Sequence, residues 1–593
     1  MYVSQRIRRA IVLSVMTGSL TLLPSFYPIN VNISMPVSVI SIAHAKIHTY
    51  VGRDTAMFDF GEDDEAIVNT VKAYARARAL QNAKEQAGVY MQTYSRSIDD
   101  NLTNEEISAI TNNIVEILDV QYKKLPYEAY NATRQSYGKV GIMYEAIVTV
   151  TIETDKINKY LNLDAQGRYN VVSQNNALQQ SINENNNEFE NLQKRAESAT
   201  NESERNAIKT ELNTVDKKLL ADQRLEEGNT LYYQGDYNGA VAKYNEALQL
   251  NPKLAEAYNN RGNVYTDLKN YDAAIADFNK ALEFKTHEFM YNNRGNAHYY
   301  MQNYTAAIAD YTKAIELNPK FDLAYNNRGL AYKQLGNYNA AIDDYTKAIQ
   351  LNSKLADAYY NRGAIYADIG NYNAAITDYT KAIDLNPNDA SAYTNRGNAY
   401  ANLKNYDAAI VDYTEVIEIN PNYALAYYNR GNAYDDLGNH TKAIANYTKA
   451  IELNPKYADA YYNRGTVYAE LQNYNAAIDD YTKAIELNPN YVLAYYDRGL
   501  AYAQMQNYRQ AIKEFTKVIE LNPNYTEAYH ERAISYALSD DLKRALSDIN
   551  KYIEFHSNDG EPYYLRGLIY QKMGDKAKAQ ANFVKARALG YNG

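Results

Sequence analysis

The chain has 593 residues, several times the span of one ordinary domain, with 22% charged residues and a formal net charge of −10. That acidic balance disfavours nucleic acid and anionic membrane surfaces, which are gripped by lysine and arginine. Cysteine is absent, which excludes disulfides and thiolate metal sites, and 62 tyrosines stand against no tryptophan.

Arg6, Arg8 and Arg9 open the chain, and an apolar stretch follows from Ala10 to Phe26, interrupted by Pro24. A second apolar stretch, Met35 to Ala43, ends in Ala43-His44-Ala45. A positive start, an apolar run and small residues flanking one position make a secretory signal over residues 1–45, cleaved after Ala45. The first run falls short of the roughly 20 residues a spanning helix needs, which argues against an uncleaved anchor. The expected location is the periplasm or cell envelope, or outside the cell.

Residues 46–165 read as a small α+β domain. Ile47 to Phe60 is extended, and Ala66 to Ala87 has apolar residues at helical spacing. Gly88-Val89-Tyr90-Met91 is expected to start a strand. Asn113 to Tyr122 and Ile142 to Glu153 are β-rich, with Ile147, Val148, Val150 and Ile152 as a buried strand. The run ARALQNAKEQAGVYMQTYSRS, Ala77 to Ser97, resembles the small domains of bacterial envelope lipoproteins and flagellar assembly proteins of the FlgT type. That resemblance implies envelope association and carries no catalytic residue.

Across residues 166–220, Leu178, Ile182, Asn185, Phe189, Leu192, Ala196 and Ala199 form a heptad seam. Asn201, with Glu204 three residues on, restarts a helix, and Ile208, Leu212, Val215 and Leu219 make a second stripe. The two stripes predict an intramolecular helical hairpin or a coiled coil that makes a homo-oligomer.

From 221 to 593 the sequence is periodic. Gly228, Gly262, Gly295, Gly329, Gly363, Gly397, Gly431, Gly465 and Gly499, then Ala533 and Gly567, recur every 34 residues with one step of 33. Placing each at position 8 divides the region into eleven units that start at Ala221 and end at Gly593. The unit Ala356 to Asp389 shows two amphipathic stripes, a Gly370-Asn371 turn, and Asn386-Pro387 closing the second helix. This is the tetratricopeptide repeat pattern, which the region resembles throughout. The resemblance implies a mainly α fold: a solenoid superhelix of helix-turn-helix repeats with first helices on the concave side, preceded by the α+β domain and hairpin.

Position 7, usually apolar in that family, is arginine ten times here, from Arg261 to Arg566. Position 23 is acidic opposite eight of them, as in Arg328 with Asp344, and the first unit exchanges both signs, Glu227 with Lys243. The joint exchange predicts an intra-repeat ion pair rather than a ligand-binding arginine row.

Position 6 is asparagine in seven successive units: Asn260, Asn293, Asn327, Asn361, Asn395, Asn429 and Asn463. An amide both donates and accepts, so such a row on an exposed first-helix face would grip an extended peptide backbone. It resembles the asparagine ladder of O-linked N-acetylglucosamine transferases. A solvated filler copied by duplication is the alternative. Tyr360, Tyr428 and Tyr462 at position 5 would add apolar pockets beside the row. Glu256, Leu323, Asp357 and Leu425 at position 2 lack the lysine of a carboxylate clamp.

No phosphate-cradling loop, metal-spaced histidine pair or catalytic constellation is evident. The expected function is an exported, non-catalytic scaffold that binds proteins or peptides, without cofactor, metal, nucleic acid or small-molecule substrate. The alternative is a structural envelope component that self-associates through residues 166–220.

Overall fold

The computed structural model describes residues 47–58, 65–97, 103–124, 142–153, 165–199 and 201–591. The expected signal segment, 1–45, lies outside them. Two compact units divide the chain at Met301/Gln302, and each is described by itself.

The first unit opens with strand β1 (Ile47–Phe58), helices α1 (Glu65–Ser97) and α2 (Asn104–Ile114), and strands β2 (Glu116–Lys124) and β3 (Ile142–Glu153). The sheet is antiparallel in the order β1-β3-β2. A bulge between Ile117 and Asp119 in β2 leaves Leu118 exposed. Val148 and Val150 of β3 are fully buried under α1. The expected strand at Gly88 is instead part of α1, which continues to Ser97. Ala75, Ala79, Ala83 and Ala87 bury one continuous helical face, and Gly88 comes close to Thr111 of α2. That packing outweighs the ~1 kcal/mol that glycine costs a helix. Asn113 and Ile114 likewise close α2, so β2 begins later than the β-branched run suggests.

Helices α3 (Ala165–Ser198) and α4 (Glu202–Gln234) form an antiparallel hairpin, with Asn201 accepting from the Glu204 N–H at 2.9 Å. Phe189, Leu192, Ala196, Ile208, Leu212, Val215 and Leu219 share one core with α1 and the sheet. Tyr74 of α1 stacks on Phe189 at 4.4 Å and donates to Glu190. The two stripes are thus covered within the chain. Helix α4 runs unbroken through residues 220 and 221, so the second hairpin arm is also the first helix of the first repeat. Leu178 of α3 joins Leu225, Tyr244 and Leu254 in that repeat's core.

The repeats from Ala255 to Asp559 pair a first helix of 13 residues with a second of 14, as in Ala356–Asp368 and Tyr372–Leu385. Asn371 caps the second helix by accepting from the Ala374 N–H, and the same cap recurs at Asn270, Asn337, Asn405, Asn439, Asn473 and Asn507. The residue before each cap has positive φ. Glycine fills it at Gly370 (φ 78°), yet Lys404 (59°) and Gln472 (60°) adopt the same conformation. A left-handed non-glycine residue costs about 1–2 kcal/mol, which the cap and helix packing offset. In the second unit the apolar clusters straddle repeats: Ala341 and Tyr345 with Ile365 of the next, and Ala443 and Tyr447 with Val467. No helix among the described residues is long and apolar enough to cross a membrane.

Candidate functional site

The arginine at position 7 is the most repeated polar feature of the array. Arg328 holds Asp344 with two bonds of 2.8 Å, Nε to one oxygen and Nη2 to the other. Arg362, Arg396, Arg464 and Arg532 hold Asp378, Asp412, Asp480 and Asp548 in the same forked way, and Arg498 reaches Glu514. The reversed pair, Lys243 with Glu227, lies at 3.1 Å. Where position 23 is neutral, the guanidinium takes an amide instead, Arg430 to Asn446 and Arg566 to Asn582.

A second partner was not evident in the sequence. The remaining Nη1 of Arg328 donates to Thr312 of the preceding repeat. Arg362, Arg396, Arg430, Arg464, Arg498 and Arg532 do the same with Thr346, Thr380, Thr414, Thr448, Thr482 and Thr516. The signal is a threonine 16 residues before each of these seven arginines, mirroring the residue 16 after it, which is acidic for all but Arg430. Each guanidinium therefore bridges two successive second helices while lying over a tyrosine ring, 5.6 Å from Tyr325 for Arg328. Burial pushes the Asp344 carboxyl up, and the bonds and charge of Arg328 pull it back.

The asparagine row lies where successive first helices meet. Asn361 Nδ2 donates to Asn326 at 3.2 Å, Asn395 to the Tyr360 hydroxyl at 3.0 Å and Asn429 to Asn398 at 3.3 Å. Asn463 donates to the Tyr428 hydroxyl at 3.0 Å and Asn432 at 2.9 Å. Each amide thus reaches back one repeat, and Asn327 accepts from Asn326. In the first unit Asn260 donates to Asn229 and Asn293 to Asn259.

Exposure divides the row. Asn260 and Asn293 are 2% and 3% exposed, contrary to the expected open face, whereas Asn327, Asn361, Asn395, Asn429 and Asn463 are half-buried. Helix α3 packs in the first unit, with Ala177 and Tyr169 clustering with Ala255, Phe289 and Met290 at the starts of the second and third repeats' first helices. Tyr360, Tyr428 and Tyr462 form no open pockets. Their rings pack on Tyr379, Tyr447 and Tyr481 at 5.8–6.0 Å, and Tyr462 donates to Asp497 at 2.7 Å. Burial raises all three phenols above their ordinary value. Row and rings therefore tie repeats together and line the half-open first-helix face in the second unit.

Models described as TPR repeat match residues 228–269, 295–336, 329–370, 363–404 and 431–472. Others described as tetratricopeptide repeat match 255–285, 390–423, 458–491 and 492–525, 412–445, and 560–586. Together they span more than half of the chain. The chain is a tetratricopeptide repeat protein. Among relatives, a Hsp70-Hsp90 organizing protein of Triticum aestivum is 47% identical over 49 residues, and one of Glycine max is 49% identical over 49. The matches span 8% of this tetratricopeptide repeat protein and 8% and 9% of those relatives. Of solved structures, YrrB, a TPR protein with an unusual peptide-binding site, is 28% identical (32% of this chain, 97% of that one, TM-score 0.30). MamA is 30% identical (29% and 94%, TM-score 0.28).

Proposed function

We propose that this chain is an exported, non-catalytic scaffold whose first-helix face in residues 302–593 binds a segment of another protein. The observation that carries the reading is the contrast along the asparagine row. It is buried at Asn260 and Asn293, in the unit where the chain's own α3 packs against first helices, and half-open from Asn327 to Asn463. A face that accepts one helix of its own chain has the surface to accept a segment of a partner. The amide oxygens of Asn361, Asn395, Asn429 and Asn463 take no partner among the described residues, so they remain acceptors for a backbone N–H. Each such bond is worth about 0.5–1.5 kcal/mol net, so several together support reversible capture.

Self-association through 166–220 is the weaker reading, because the hairpin's apolar stripes are already covered within the chain. The export reading rests on Arg6, Arg8, Arg9 and Ala43-His44-Ala45.

A photo-crosslinking side chain at Ala364, Asn398 or Asn432 on first helices is expected to capture the same protein from the native host. One at the exposed Lys347 or Lys381 on second helices should not. The chain recovered should begin at Lys46. Capture from the second helices alone would overturn the binding face, and an intact N-terminus would overturn cleavage.

A further inference from the structure

Two residues set one repeat apart from its immediate neighbours. Position 12 is alanine at Ala367, Ala401, Ala469, Ala503 and Ala537, but here it is Asp435. Position 17 is tyrosine at Tyr338, Tyr372, Tyr406, Tyr474 and Tyr508, but here it is His440. Asp435 stands in the last turn of the first helix Ala424–Asp436, and His440 begins the second helix His440–Leu453. The fold sets them side by side, Nδ1 of His440 lying 3.2 Å from Asp435 Oδ1. Glu470, the last residue of the next first helix, Ala458–Glu470, brings Oε2 to 3.7 Å from the same nitrogen.

We propose that Asp435, His440 and Glu470 form a binding site for a zinc-class divalent cation. One donor atom from each of the three residues lies within 4.8 Å of the other two. Zinc bound at ~2.1 Å by imidazole nitrogen and carboxylate oxygen holds neighbouring donors about 3.4 Å apart in a tetrahedron, close to the two separations already present. Both carboxylates sit at helix C-termini, where the helix dipole repels anions and favours a cation. Lys442, on the histidine's own helix, lies instead over the Tyr434 ring at 4.9 Å. Mixed nitrogen and oxygen donors suit zinc over magnesium, which prefers oxygen alone. Asp435 and His440 belong to one repeat and Glu470 to the next, so a bound ion would pin one joint of the array.

The test is equilibrium dialysis of the purified full chain against zinc chloride, with zinc counted by mass spectrometry. The wild type is expected to bind one ion that excess magnesium does not displace. Asp435→Ala with His440→Tyr restores residues that neighbouring repeats carry at those positions, so the fold should persist while that ion is lost. Glu470→Gln, at an exposed position, leaves the other two donors in place and should weaken binding roughly tenfold or more. Equal zinc in the wild type and both variants would overturn the site, as would no zinc in the wild type.

Discussion

At the scale of single residues, the arginine clamp does two jobs that the sequence shows only in part. The exchange of Glu227 and Lys243 reveals the pairing within a repeat, and the structure confirms it at Arg328 and Asp344. The bond to the preceding repeat's threonine is less legible, because threonine on a helix is equally at home bonding its own backbone. Thr380 does both, donating to the Ile376 carbonyl while accepting from Arg396. With side-chain exposures of 17% for Arg328 and 8% for Asp344, removing one partner strands a mostly buried charge, at a cost of about 3–5 kcal/mol. Asp344→Lys is therefore expected to lower stability to urea by that order, and adding Arg328→Glu should recover much of the loss. Strictly additive losses in that double-mutant cycle would show that the two side chains are not coupled.

Between elements, shape and charge are matched across helices. A Cβ on Gly397 would stand 2.8 Å from the Tyr413 ring, and one on Gly262 2.7 Å from Phe278. The recurring glycine therefore makes room for the aromatic residue of position 24 rather than for a bare backbone. The exception proves the match: where Ala533 replaces glycine, Ile549 replaces the ring. The otherwise apolar seam between α3 and α4 carries one buried polar contact. Asp222 accepts from Ser181 at 2.7 Å and Asn185 at 2.5 Å. Asn185 was legible as a seam residue, but its acid was not, because Asp222 lies beyond the heptad stripe, in the stretch read as repeat. Burial raises the Asp222 carboxyl to about 7, opposed by those two bonds. A folded-state pKa above the unfolded 3.8 means that the folded chain holds the extra proton. This group's contribution is thus largest below that value and is lost as pH rises through about 7. Asp222→Asn should flatten the stability profile between pH 4 and pH 7, measured by denaturant melts of the first unit's helices. An unchanged slope would refute this titration.

For the whole molecule, each repeat is a unit that cannot complete its core alone, since Tyr345 and Tyr447 are closed by Ile365 and Val467 of the following hairpin. Such arrays derive stability from nearest-neighbour interfaces. The 34-residue period makes this architecture visible in sequence, because most copies repeat the same glycine, alanine, aromatic and capping residue. The small α+β region has no second copy to reinforce its pattern, and at Gly88 tertiary packing overrides local propensity, so a helix stands where a strand is expected. The most direct test removes one repeat, residues 390–423, joining Asp389 to Ala424 and setting Arg430 against Thr380 in place of Thr414. The shortened chain is expected to be folded by circular dichroism, to lack one hairpin's helix and still to melt cooperatively. An aggregated or unfolded product would contradict it, showing that the hairpins are not equivalent, interchangeable layers.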